Sequence, residues 1–287
     1  VVPIGANYEA QASATWFVDE RTRGLAFTDN RSRGFDGSLR VVGHGRWGME
    51  VLGYVQQRTF SSGFASVAAD RSTASATLDQ YDVPATGWGG RIELRPPTGE
   101  RAELRLGGDL RRLQGETRER YTFVAGAPTR AREAGGETAT YGLFADGSVK
   151  LGDLWTVTGG ARIDRWRITD GFLRERTIGG APIRDDQAAD RAGWRPTARA
   201  GLAFRPQGAL TLRSAAYLGW RLPTLNELHR PFRAGADATA ANPGLAPERL
   251  KGVDFGADFE PFGTLRLSAT AFWNRLEDGI ANVTLAR

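Results

Sequence analysis

Apolar and polar residues alternate with period two along most of this chain. From Tyr8 to Val18, one parity carries Tyr8, Ala10, Ala12, Ala14 and Trp16, and the other Glu9, Gln11, Ser13 and Thr15. That is the pattern of a strand with one apolar face. It recurs at Phe35–Val42, Trp47–Thr59, Trp88–Arg95, Arg101–Leu113, Tyr141–Leu151, Trp155–Trp166, Trp194–Phe204, Leu210–Trp220, Lys251–Phe259 and Leu265–Leu276, eleven strands in all. On Arg101–Leu113, for example, Ala102, Leu104, Leu106 and Leu110 oppose Glu103, Arg105, Asp109 and Arg111.

The connections alternate in length. Short turns stand at Gly43-His44-Gly45, Pro96-Pro97-Thr98-Gly99, Gly152-Asp153, Arg205-Pro206-Gln207-Gly208 and Glu260-Pro261-Phe262-Gly263. Long polar loops are expected at Asp19–Gly34, Phe60–Thr86, Gln114–Glu137 and Ile168–Arg191, and a larger one from Leu222 to Glu248. A meander with short turns at one end and long loops at the other is how outer-membrane barrels are built, and strands of about 10 residues suit a tilted bilayer crossing. The predicted fold is therefore all-β: a transmembrane antiparallel up-and-down β-barrel, with Leu104, Leu106, Leu143, Leu202 and Leu212 bare towards lipid. A soluble sandwich or propeller also has evenly spaced strands but has no need of this loop asymmetry.

Composition agrees. The hydrophobic share of the 287 residues is 40%, and no run of about 18 apolar residues exists to form a spanning helix. A barrel escapes that test because only alternate residues face lipid. Eight tryptophans, mostly at strand ends, suit aromatic girdles. Cysteine is absent, which argues against a disulfide scaffold or thiolate metal site. The net charge of +5 is carried by arginine; Lys150 and Lys251 are the lysines. Arginines scattered over alternating strands form no single basic patch, so nucleic acid is not an expected partner. Arginines along a water-filled interior would favour anionic ligands, although most must pair with carboxylates such as Glu103, Asp109, Asp164, Asp254 and Asp258. An even strand number is the rule for closed bacterial barrels. Eleven strands, with no signal peptide or terminal aromatic strand, read as a segment of a larger barrel, residues 1–287 forming one domain.

Catalytic constellations are missing. His44 and His229 lie far apart, and no nucleophile elbow, zinc-binding helix motif or phosphate-cradling loop occurs. The expectation is a protein that is not an enzyme and that carries no cofactor.

The stretch from Tyr217 to Leu285 carries the most specific signal. Trp220-Arg221-Leu222-Pro223, then Asn242-Pro243-Gly244-Leu245-Ala246-Pro247-Glu248, then the strand Leu267–Arg275 resemble successive motifs of TonB-dependent outer-membrane receptors. The resemblance implies uptake of a scarce nutrient, first of all an iron–siderophore complex, across the bacterial outer membrane. It also implies coupling to the TonB–ExbB–ExbD system through an N-terminal plug not recognisable here. Ligand-binding candidates by this resemblance are Arg221, Asn226, His229, Arg230, Arg233 and Asn242. Related haem receptors place a ligating histidine between the two motifs, so His229 is the haem candidate; loop packing is its ordinary role. Arg195, Arg199 and Arg213 complete the arginine set on the polar face. The alternative class is a passive porin-like or structural barrel, which shares the meander but is not expected to carry both loop motifs.

Overall fold

The computed structural model describes residues 1–234 and 237–283. It is built on one antiparallel sheet. Its strands are β1 (Val2–Gly5), β2 (Tyr8–Arg21), β3 (Asn30–His44), β4 (Gly48–Val67), β5 (Ala74–Arg95), β6 (Ala102–Val124), β7 (Ala127–Leu151), β8 (Trp155–Thr177), β9 (Pro182–Gln187), β10 (Arg191–Gln207) and β11 (Leu210–Arg221). After α1 (Leu225–His229) and the small hairpin β12 (Phe232–Ala234) and β13 (Asp237–Thr239) come β14 (Glu248–Phe262) and β15 (Leu265–Glu277). Neighbours follow chain order from β1 to β15, with β9 paired on β8 and β12–β13 forming a separate ribbon. Among the described residues β1 and β15 do not pair with each other.

All eleven predicted strands are present, and most are longer than expected. The stretches Phe60–Thr86, Gln114–Glu137 and Ile168–Arg191, read as loops, are largely strand: β6 and β7 run on to a two-residue turn at Ala125-Gly126. Both turn residues have positive φ (50° and 80°), the geometry of a type I′ hairpin turn. The extensions escaped the sequence pattern because both of their faces meet water or each other's charges, so no apolar parity remains. The first edge is β1, paired on β2, where Tyr8 had been expected to begin the sheet.

Pairing registers sort the two faces. One lateral row reads Val41–Val51–Ile92–Gly108–Leu143–Ile163–Pro196. The next, of opposite parity, reads Arg40–Leu52–Arg91–Asp109–Gly142–Asp164–Arg195. The first face is bare: Leu143 is 67% exposed, with Leu106, Leu202, Leu212 and Phe255 also exposed. Leu104 is half-buried on the same face. No protein layer covers this belt, which excludes a sandwich. The second face is tied by ion pairs. Arg162 bridges Asp109 (2.5 Å) and Asp164 (2.5 Å), and its path explains Gly142, where an added Cβ would lie 2.0 Å from an Arg162 nitrogen.

The girdle expectation holds for six tryptophans: Trp16, Trp47, Trp88, Trp155, Trp194 and Trp273 are exposed. It fails for Trp166 and Trp220. Trp166 is 6% exposed in a cluster with Ile168 and Leu228, and Trp220 packs against it. The Trp220 indole N–H donates to Asp164 (3.0 Å). The paired register of β10 and β11 ends at Arg199 and Tyr217, so the last residues of β11 are held by β14 alone, and Trp220 lies against Trp166.

Candidate functional site

The segment between β11 and β14 folds back over the ion-paired face at the long-hairpin end. Local chemistry starts α1: Thr224 is its N-cap, accepting from the Glu227 backbone N–H (3.3 Å), while the Glu227 carboxylate accepts from the Thr224 backbone N–H (2.6 Å). This reciprocal capping box satisfies donors that a helix start otherwise leaves orphaned. Burial pushes the Glu227 carboxyl up, but hydrogen bonds from Arg221 and Thr224 outweigh it and leave its pKa below the ordinary value. The turn brings Leu228, fully buried, onto Trp166 and Ile168, with Leu222 and Leu245 closing the cluster.

Beside this cluster lies a buried ionic node. Glu119 is 0% exposed. It accepts from Arg132 of β7 (2.8 and 2.5 Å), Arg230 of the segment (2.7 and 2.5 Å) and Gln80 of β5 (2.9 Å). Glu175 stands 3.6 Å from Arg132, so two carboxylates balance two guanidiniums. Buried and multiply partnered, such a node fixes where the segment sits, because Glu119 is the carboxylate that holds Arg230 of the segment, and its loss would leave that guanidinium without its acid.

The predicted ligand residues divide by what they touch. Arg221 is held between Glu248 (2.6 Å) and Glu227 (3.0 Å). Asn242 makes a turn, its Oδ1 accepting from Gly244 N–H (2.9 Å) and its own N–H donating to the Glu227 carbonyl (3.2 Å). Arg191 staples the same turn by donating to the carbonyls of Pro243 (2.5 Å) and Leu245 (3.0 Å). Asn226 is exposed and meets Thr117 at 3.5 Å. His229 is 4% exposed; its ring fills a notch at Gly171, where a Cβ would lie 2.4 Å from its Cε1. Its Nε2 has no hydrogen-bond partner among the described residues, and burial lowers its pKa. Iron could reach that nitrogen only if α1 moved away. The Arg233 side chain lies outside the described residues. The structure thus gathers Arg221, Asn226, His229 and Arg230 around α1, mostly as parts of the segment's own anchorage.

On the wall below, Arg199 pairs with Asp146 (2.6 Å) and Arg213 with Asp258 (3.1 Å). Asp258 was among the anticipated acids; Asp146, Glu119, Glu227 and Glu248 were not. A cleft of about 490 Å³ opens between the wall and the segment, lined by Pro84, Leu113, Ala134, Trp220, Leu222 and Leu225. Arg111 also lines it and has no carboxylate partner among the described residues. Sequence reasoning missed Glu119, Arg132 and Gln80, which fell in presumed loops. The available signal was Arg118-Glu119 facing Arg132-Glu133 across Ala125-Gly126, a charge-complementary hairpin around a turn dipeptide.

Among solved structures, the ferric yersiniabactin uptake receptor FyuA from Yersinia pestis superposes with a TM-score of 0.71 at 15% identity, covering 95% of this chain and 43% of the receptor. The copper transporter OprC gives 0.73 at 16%, covering 96% and 44%. The FrpB iron transporter from Neisseria meningitidis gives 0.65 at 14%, covering 98% and 44%. The chain thus spans less than half the length of these proteins, and at such identities they share its fold. No curated protein sequence matches it. The sequence profile of the family described as "TonB dependent receptor-like, beta-barrel" matches residues 3–287, essentially end to end, and the chain belongs to this family of bacterial outer-membrane receptor barrels.

Proposed function

We propose that the protein is the barrel wall of a receptor that captures a scarce anionic metal chelate, an iron–siderophore complex first, for import energised by the TonB–ExbB–ExbD system. The observation that carries this reading is the cleft beneath Trp220 and Leu222, where a largely apolar lining meets Arg111, which has no carboxylate partner among the described residues. A chelate with aromatic or apolar arms and carboxylate or catecholate oxygens matches that combination, since guanidinium forks bind planar oxyanions. The names of the structural neighbours support a metal cargo, two of them iron and one copper. The barrel's part is a rigid, charged wall that selects; it supplies no chemistry to the cargo. Haem draws no support from His229, whose free nitrogen is packed away from the cleft.

The test is uptake of radiolabelled iron by cells lacking the native gene and expressing the protein or its Arg111→Glu variant. A panel of catecholate, phenolate and citrate-type ferric chelates is offered with and without a proton-motive-force uncoupler. Uncoupler-sensitive uptake of one chelate, lost in the variant, is expected. Uptake indifferent to the uncoupler points to the porin-like alternative, and no uptake of any chelate sinks the iron reading.

A further inference from the structure

The lipid-facing side of the sheet carries charge at one rim only. Along β8, the outward residues are Trp155, Val157, Gly159, Ala161 and Ile163, followed by Arg165 and Arg167. From Trp155 to Arg165 is ten residues. At about 3.3 Å per residue and a tilt of about 40°, that climbs about 25 Å, the height of an apolar barrel band. Arg165 therefore emerges at its upper boundary, on the long-hairpin side.

Register places three cations together there. One outward row reads Trp88–Arg112–Ala139–Arg167–Ala192, and the row beneath it Gly90–Leu110–Tyr141–Arg165–Trp194. Arg112 and Arg167 are two strands apart, about 10 Å, within joint reach of one oxyanion. Ala139, between them, is only 6% exposed, as fits two long side chains lying across it. Arg165 stacks over the exposed Trp194 ring, 5.4 Å from its centroid. Among the described residues Arg112 has one carboxylate within salt-bridge reach, Glu137 at 2.5 Å, with Asp170 farther off; Arg165 and Arg167 have none within that reach. At the opposite rim, the outward positions of the same strands are Ala102, Leu104, Leu151, Val149, Trp155, Phe204 and Leu202, with no charge.

We infer that Arg112, Arg165 and Arg167 form a docking site for the phosphate groups of an outer-leaflet phosphorylated lipid, whose acyl chains lie down the Leu110–Leu143–Ile163 belt. Guanidiniums recognise phosphate by charge-assisted forks, and unpaired basic side chains just above an apolar band are where a lipid headgroup can answer them. Trp88, Tyr141 and Trp194 flank the cluster at the level aromatic anchors occupy. The confinement of cations to one rim fits a phosphate-rich leaflet on that side. Glu137 competes with lipid phosphate for Arg112, which gives the site a second, opposite handle. This site is independent of the cargo and of the energy coupling.

The test uses the protein extracted from outer membranes in mild detergent, with its unfolding midpoint read by heat-modifiable gel migration. Bis-phosphorylated lipid A, its dephosphorylated form and inorganic phosphate are titrated separately. Phosphorylated lipid should raise the midpoint; Arg165→Gln with Arg167→Gln should weaken that response by about fivefold per arginine, and Glu137→Gln should strengthen it. Should the double variant not reach the membrane, Glu137→Gln decides alone, an unchanged or weaker response overturning the site. Equal protection by the dephosphorylated lipid shows generic acyl contact and overturns it. Equal protection by inorganic phosphate shows a simple ion site and overturns it too.

Discussion

Strand β6 crosses two environments, and its halves are written in different languages. From Ala102 to Leu113 it alternates, Leu104 and Leu106 to the bare face and Arg105 and Asp109 to the ion-paired one. From Gln114 to Val124 it carries Glu116, Arg118, Glu119 and Arg120 with no apolar side, yet the ladder to β7 continues unbroken in kind. The backbone does the same thing in both halves; what changes is the solvent. In lipid, each outward position must be apolar and each backbone group paired. Above the membrane, pairing survives because side chains on the inner face tie hairpin to hairpin, through Gln80 of β5 with Glu119 and Arg132 with Glu175 of β8. The lower half is held by its surroundings and the upper half by its own charges.

The comparison is broken most sharply at Glu119. Glu119→Ala should leave the guanidiniums of Arg132 and Arg230 buried without their main partner, a change that costs about 3–5 kcal/mol in buried pairs. The effect should be confined to the upper half: trypsin should cut the segment between β11 and β14 rapidly while heat-modifiable migration of the barrel persists. Unchanged protease resistance would show that the node does not hold the segment. The lower half is tested by Leu106→Arg against Arg105→Leu. Leu106 is exposed on the bare face, and an arginine near the lipid midplane costs about 2–4 kcal/mol, so its yield in the outer membrane should collapse. Arg105, whose one ion-pair partner among the described residues is Glu103 at 3.5 Å, should tolerate replacement far better. Equal yields would contradict the assignment of faces.

The same division explains how much could be read from the sequence. Every membrane-crossing strand was legible because lipid enforces period two, and the face of Leu106 followed from parity alone. The hairpin extensions were not legible, since Arg118 to Arg120 and Arg130 to Arg132 look like solvated charge until they are seen side by side. The motifs around Pro223 and Asn242 located the segment correctly, but their residues serve to dock it. Arg221 clamps Glu227 and Glu248, and Asn242 closes a turn. Trp166 and Trp220 misled because position at a strand end does not fix the face: Trp166 shares the inward parity of Asp164, and β11 has left β10, though not β14, before Trp220. The inward-turned Glu119 left only the complementary charges facing across Ala125-Gly126 as a signature, because its partners are 13, 39 and 111 residues away.

A smaller effect is expected from the cap. Thr224→Ala removes the hydroxyl that accepts from Glu227, a loss of about 1 kcal/mol for a typical N-cap. The Glu227 carboxylate keeps its bonds to Arg221 and to the Thr224 backbone. Partial loss of trypsin resistance in the segment, well short of that in Glu119→Ala, is the expected result; resistance equal to the parent's would mean that Arg221 alone anchors α1.

The smallest effect should come from pH, through His229. Burial lowers its pKa below the ordinary 6.5, so the docked segment holds the imidazole neutral while a released segment lets it titrate normally. Between those two values the released form binds more protons than the docked one. Docking is therefore fully stable above about pH 6.5 and weakens as the pH falls towards the docked-state pKa. Trypsin loses activity as the pH falls, so amide hydrogen exchange across residues 225–230 is the suitable readout. Exchange, corrected for its intrinsic pH dependence, should rise as pH drops from 7.5 to 5, and His229→Phe should flatten that rise while filling the same notch against Gly171. Acidification also protonates Glu227, but its pKa lies below the usual carboxylate value, so that loosening begins only below about pH 4.5. The two contributions separate on the pH axis, and a rise that survives His229→Phe above pH 5 would remove the histidine from the account.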